Sequence, residues 1–289
     1  MSKFQESLSR FSITAEIPPP KGADVSPFLR IAEKAAGRID GANVTDNQRG
    51  MMRMSALVFS KCLKDVGCEP ILQVTCRDRN RLALQSDLLG AMAFGIENLC
   101  LMTGDFPTMG DNPDARPVYD LDSMQLIKAA NGLARGVAMN GKPVKDVRPF
   151  FTGGVINPFY EPFELELLKT KKKIAAGAKF FQTQPFFDIP SVEKFLNAVK
   201  GLDAAFLIGV TPLKGEKMIT FLNQKVLTTP IPADVTARIT GAADQAREGL
   251  LAAAEFVNAI RKIARGVHLM PIGQEENLPL LLDMIEAGK

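Results

Sequence analysis

Short apolar runs alternate along this chain with longer stretches in which apolar residues recur at helical spacing. Residues 11–20, Phe-Ser-Ile-Thr-Ala-Glu-Ile-Pro-Pro-Pro, alternate apolar and polar side chains until proline stops them, which reads as a strand. A helix over 26–36 and a second strand over 41–46 follow. A helix over 48–66 then leads to a third strand over 70–76, in which Gln73 and Thr75 share one face by two-residue alternation. A helix over 79–94 precedes the run Leu99-Cys100-Leu101-Met102, which ends abruptly in Thr103-Gly104-Asp105. After a loop over 104–120, the pattern predicts a helix over 122–135 and strands over 150–155, 179–184 and 206–212. It also predicts a helix over 162–176, a long helical region over 232–263, a strand over 266–272 and a final helix. Eight strand–helix units in order argue for parallel strands with helical crossovers, closed into a (β/α)8 TIM barrel of α/β class. An open doubly wound sheet is the structural alternative, but no G-x-G-x-x-G follows the first strand.

The 289 residues fit one barrel domain over 1–289 without a second unit. With 46% hydrophobic and 23% charged residues the composition is that of a globular protein, and a net charge of +3 gives no argument for nucleic acid or an anionic membrane. No apolar run approaches the ~20 residues a membrane span needs, and no signal-peptide core opens the sequence, so a cytoplasmic location is expected. The cysteines, Cys62, Cys68, Cys76 and Cys100, include no C-x2-C pair, so an iron–sulfur or structural zinc site is not expected. His268 is the one histidine, which leaves acid–base work to carboxylates, lysines or tyrosines.

The polar residues at strand ends are the candidates for chemistry, because sites in βα barrels assemble at the carboxyl ends of the strands. Asp105 follows the glycine that ends the fourth strand; a loop-capping role is the plain alternative. Glu16 stands beside Ile17 and Pro18, company that disfavours an ionised carboxyl and suits a proton donor, against the alternative of a surface carboxylate. Lys169, Lys172 and Lys173 form a basic stripe at i, i+3 and i+4, which is ordinary solvated surface unless it lies near the barrel mouth.

Taken together, Glu16-Ile17-Pro18-Pro19, Thr103-Gly104-Asp105-Phe106-Pro107, Gly177-Ala178 and Thr183-Gln184-Pro185-Phe186-Phe187-Asp188 resemble the methylenetetrahydrofolate reductase family across nearly the whole chain. The resemblance implies a barrel with a flavin, usually FAD with FMN as the alternative, across the strand ends. It implies hydride transfer to 5,10-methylenetetrahydrofolate to give 5-methyltetrahydrofolate. On it, Glu16 is the general acid that assists opening of the methylene bridge, and Asp105 is the negative charge that stabilises the resulting cation. Gln184 holds the pterin, and Gln274 stands near the folate tail. Thr45, Gln73, Thr103, Gly104, Asp105, Tyr119, Asp120, Asn157, Lys169, Lys172 and Lys173 fall at flavin-contacting positions. Gln73 and Asn157 stand where histidines are common, Lys169 replaces an asparagine, Glu216 stands where some members place an aromatic residue, and Gln274 where an arginine can occur. These departures leave the electron donor open between NAD(P)H and an iron–sulfur partner subunit, and an oligomer is expected. A non-redox pterin-binding methyltransferase barrel is the second enzymatic reading, and a subunit that supports a partner's active site is the third.

Overall fold

The computed structural model describes residues 1–288. Among them, strands β1 (Ser12–Glu16), β2 (Gly41–Val44), β3 (Pro70–Thr75), β4 (Asn98–Met102), β5 (Phe151–Ile156), β6 (Phe180–Pro185), β7 (Ala205–Val210) and β8 (Gly266–Leu269) pair in sequence order. All pairs are parallel, and β8 pairs back onto β1 (Ile13 against Val267, Thr14 against His268), which closes the barrel. Nearly every strand residue is buried, as expected of a parallel sheet packed on both faces.

Eleven α-helices accompany the strands among the described residues: α1 (Lys3–Ser7), α2 (Ser26–Ala35), α3 (Ala56–Asp65), α4 (Arg81–Ala93), α5 (Ser123–Ala134), α6 (Phe163–Ala175), α7 (Ile189–Ala198), α8 (Glu216–Lys225), α9 (Ala233–Thr240), α10 (Gln245–Ile260) and α11 (Leu278–Ala287). None is long and apolar enough to cross a membrane. Alternation along the strands feeds two cores. Leu72 and Val74 of β3 face outward into the large core under the helices, whereas Ile71 faces the lumen beside Cys100, Phe151, Phe180 and Leu207. Phe4 of α1 plugs the amino-terminal end of that lumen, with its ring 5.0 Å from that of Phe180 and 5.7 Å from that of Phe151.

The structure corrects three element boundaries. The helix expected over 48–66 begins only at Ala56, because Asn47, Arg49 and Gly50 take left-handed backbone conformations that a helix cannot contain. The region over 232–263 is two helices, α9 and α10, and α8 precedes them. Gly241 ends α9, and Asp244 starts α10 afresh by accepting from the Arg247 N–H. The last strand stops at Leu269 rather than running to residue 272, since Pro271 has no N–H to offer a ladder.

Candidate active site

Glu16 ends β1 at the carboxyl-terminal mouth of the barrel, and only 7% of it is exposed. The Gln48 side-chain amide donates to its Oε2 at 3.4 Å, and Nε2 of His268 lies 3.6 Å from Oε1. Beneath this carboxyl a polar layer crosses the lumen. Asn43 of β2 and Gln182 of β6 exchange amide hydrogen bonds of 2.7 and 2.9 Å. Gln182 Nε2 also lies 3.3 Å from His268 Nδ1, and the Thr14 hydroxyl lies 3.1 Å from the same nitrogen. With the Gln182 amide donating into Nδ1, the imidazole keeps its proton on Nε2, the nitrogen that faces Glu16. The buried polar groups of three strands thus fix one ring on a fourth and, through it, one side of one carboxyl.

The exits of β2, β3 and β4 form the adjoining wall. Asp46 accepts from both the N–H and the hydroxyl of Thr75, at 2.8 and 2.9 Å, and pairs with Arg79. Arg77 is almost fully buried. It pairs with Asp78 and donates to the carbonyls of Asn47 and Asp105, so one guanidinium ties three strand exits together. The Asp78 pair raises the guanidinium's pKa against the opposing effect of burial. Gly104 turns the chain at φ +91°, where a Cβ would meet Thr75 Cβ at 2.9 Å, so this bend against β3 requires glycine. The Tyr119 hydroxyl donates to the carbonyls of Gly104 and Asp105. Asp105 itself is exposed on the rim, as is Thr103, while Gln73 is buried in β3. Thr45 is fully buried at the end of β2, and its hydroxyl has no partner.

Gln184 is the one exposed residue of β6. It sits in a register shift between Gln182 and Pro185, where the Thr183 hydroxyl accepts from Gly209 N–H and donates to the Gln184 carbonyl. Such irregularities re-aim side chains near sites. Glu16, Asp105 and Gln184 therefore all lie at the carboxyl-terminal end of the barrel. At the β5 exit, the Asn157 N–H donates to Glu166 of α6, and the Asn157 side chain closes a turn onto the Phe159 N–H. Glu216 opens α8, and the aromatic residue of that helix near the mouth is Phe221, packed against Arg49.

Three of the expected contact residues are engaged by the protein itself. Lys173 does not share a stripe with Lys169 and Lys172. At about 100° per residue it turns inward with Glu166, is only 7% exposed, and donates to the Val155 carbonyl at 2.8 Å. Burial lowers its pKa, an effect Glu166 partly offsets. Lys172 is exposed, and Lys169 pairs with Glu166 while lying over the Tyr160 ring. Asp120 is engaged by Arg81, through both the backbone N–H that opens α4 and the guanidinium, which holds its carboxyl at about 2. Gln274 is fully buried; its amide donates to the Pro212 carbonyl, which ties the β8 exit to the β7 exit, and its Oε1 has no partner.

Sequence reasoning passed over His268, Gln182, Asn43, Gln48 and Arg77. A signal existed for the first: His268 stands between Val267 and Leu269, so on a strand its polar ring and its two apolar neighbours face opposite sides. The Cys-Arg-Asp-Arg-Asn run directly after the third strand marked Arg77 in the same way.

A profile of the family described as methylenetetrahydrofolate reductase matches residues 3–286. The protein named 5,10-methylenetetrahydrofolate reductase from Pectobacterium carotovorum subsp. carotovorum is 25% identical over 230 residues, which are 76% of this chain and 72% of that one. A Caenorhabditis elegans protein named probable methylenetetrahydrofolate reductase (NADPH) is 25% identical over 182 residues, 62% of this chain but only 25% of that longer one. Among solved structures, an uncharacterized protein from Clostridium thermocellum, which binds two copies of 5-methyl-5,6,7,8-tetrahydrofolic acid, shares the fold. Its TM-score is 0.63 at 17% identity, over 99% of both chains.

Proposed function

The chain belongs to the methylenetetrahydrofolate reductase family, and from that premise we propose that residues 1–289 work as one reductase domain. It converts 5,10-methylenetetrahydrofolate to 5-methyltetrahydrofolate at the barrel mouth, with a bound flavin, FAD or FMN, as electron carrier. The observation that carries this reading is Glu16, a buried carboxyl at the mouth held between Gln48 and His268, on the same rim as Asp105 and Gln184.

The residues present fit a flavin. The Thr45 hydroxyl is buried without a partner, a condition that costs roughly 1–3 kcal/mol and that a cofactor heteroatom would relieve. Gly104 brings bare backbone to the rim against Thr75 and Arg77. Thr45, Gln73, Thr103, Gly104 and Tyr119 would hold the ring system, and the exposed Lys169 and Lys172 would meet its phosphate groups near Asn157. Bound there, the cofactor supplies the electron pair that reduces the methylene carbon. The chain's own residues do the rest. Glu16 gives its proton to the folate nitrogen that departs as the bridge opens, and Gln48 and His268 face the carboxylate left behind. Asp105 sets negative charge near the cation so formed, and the Gln184 amide orients the pterin.

The electron donor is a nicotinamide or an iron–sulfur partner subunit. The departures at Gln73, Asn157 and Glu216 support the second, as do the exposed Met52, Phe106 and Met109 on the mouth loops, which a docked subunit would cover. The test is anaerobic. Photoreduced protein mixed with 5,10-methylenetetrahydrofolate is expected to regain its oxidised flavin spectrum and yield 5-methyltetrahydrofolate; a spectrum that stays bleached defeats the reading. Rapid bleaching of the oxidised protein by NADH or NADPH alone removes the need for a partner.

A further inference from the structure

We infer that Gln48 is a positioning residue for Glu16, an inference that rests on the reading of Glu16 as the proton donor. The Gln48 amide approaches Oε2 from the β2 exit while His268 approaches Oε1 from β8. Both groups present N–H to the carboxyl, and so both are aimed at the negative charge that develops as Glu16 gives up its proton.

The backbone that delivers Gln48 is costly to build. Asn47 and Arg49, on either side of it, lie at φ +45° and +57°, and Gly50 follows at +71°. Left-handed arginine is uncommon, and such residues persist where their surroundings over-determine them. Here the surroundings act from several sides. Asn47 Oδ1 accepts from the Arg53 N–H at 3.0 Å, and the Arg53 guanidinium donates to the Pro19 carbonyl just beyond β1 at 2.8 Å. The Met52 N–H donates to Asp111 in the β4 exit loop at 2.8 Å. Gly50 and Gly110 meet backbone to backbone, so closely that a Cβ on Gly110 would lie 1.9 Å from the Gly50 carbonyl oxygen. The Arg49 guanidinium rests 4.8 Å above the Phe221 ring of α8. Each of these anchors uses a neighbour of Gln48 and leaves its side chain to Glu16. The segment 47–53 is therefore bolted to the exits of β1 and β4 and to α8, and what it holds over the mouth is one amide.

Gln48→Met keeps the length and removes the donor; Gln48→Glu keeps the shape and sets a second carboxyl against Glu16. The flavin-loaded protein is photoreduced anaerobically and mixed with 5,10-methylenetetrahydrofolate under single-turnover conditions, and 5-methyltetrahydrofolate binding is measured by calorimetry. The turnover step is expected to fall about tenfold in Gln48→Met, the worth of one hydrogen bond to a charged group, and further in Gln48→Glu. The dissociation constant should stay within about twofold of the parent's, a split that a merely structural role would not give. A parent-like rate in Gln48→Met, or a loss confined to binding, overturns the inference. If Gln48→Met does not fold, Gln48→Asn, whose amide falls one methylene short, is expected to show the same split to a smaller degree, and a parent-like rate there overturns it equally. A parent protein that does not react defeats the functional reading and this inference with it, whereas an active parent with unaffected variants defeats this inference alone.

Discussion

At the amino-terminal end of the barrel the inward-facing positions are Phe4, Ile71, Cys100, Phe151, Phe180 and Leu207, packed ring against ring, with Phe151 and Phe180 stacked 5.3 Å apart. Toward the mouth, the inward positions of β1, β2, β6 and β8 are Thr14, Asn43, Gln182 and His268, and then Glu16. β6 carries both sets, with Phe180 in the floor and Gln182 in the polar layer. The floor gains from burial and dispersion, which ask for volume and shape. The mouth side holds groups that would be costly there unless each found a partner, and most have one. Even the thiol of Cys100 belongs to the floor, where burial pushes it up to about 12 and keeps it a small hydrophobe. The contrast divides labour within one barrel, with stability at one end and chemistry at the other.

Substitutions at the two ends are expected to separate these properties. Glu16→Gln keeps the shape of the mouth and removes the transferable proton. Its single-turnover reaction with 5,10-methylenetetrahydrofolate should slow by ~10²–10⁴-fold, while its denaturant midpoint and flavin content stay near the parent's. Near-normal turnover would take Glu16 out of the mechanism. Phe180→Ala at the floor should do the reverse. It is expected to cost ~3–5 kcal/mol in unfolding free energy while the protein that remains folded turns over at close to the parent rate. A large rate loss without destabilisation would erase the distinction between the ends.

Lys173 sharpens the comparison, being a buried charge beside the mouth rather than on its rim. Its folded pKa is lowered by burial, so the unfolded chain binds the proton more tightly. Stability should therefore rise as pH climbs through the lowered value toward the ordinary lysine range, and the Lys173 penalty should be full below that window. Measured against Lys173→Met across alkaline pH, the parent is expected to gain stability relative to the variant; parallel curves would contradict the assignment. The smallest effect belongs to Asp120, whose carboxyl Arg81 holds at about 2 on the exposed surface. Asp120→Asn should leave flavin content unchanged and lower stability only slightly at neutral pH, and that small difference should vanish as acid protonates the parent's carboxyl. Loss of flavin from this variant would restore Asp120 to the cofactor site.

The eightfold alternation was legible because each buried strand is a short apolar run bounded by glycine, proline or polar residues; Glu16 and Asp105 were legible as polar residues at the ends of such runs, whereas Gln184 rested on the family resemblance. Resemblance transfers position along the chain but not direction: Gln274 folds under the β7 exit, and Lys173 turns beneath β5. Gln48 was hidden inside a predicted helix, since nothing in Asn47-Gln48-Arg49 announces two left-handed residues; the contacts with Pro19, Asp111 and Phe221 that impose them come from elsewhere in the chain.

The central claim is that the folate is processed at the mouth under Glu16. A crystal structure of the flavin-loaded protein with 5-methyltetrahydrofolate tests it most directly. The account predicts the pterin at the carboxyl-terminal rim, with the Gln184 amide and the Glu16 carboxyl each within about 3 Å, or one water, of a folate nitrogen or oxygen. Folate seated elsewhere on the barrel, or seated at the mouth with Glu16 turned away behind Gln48, would contradict it.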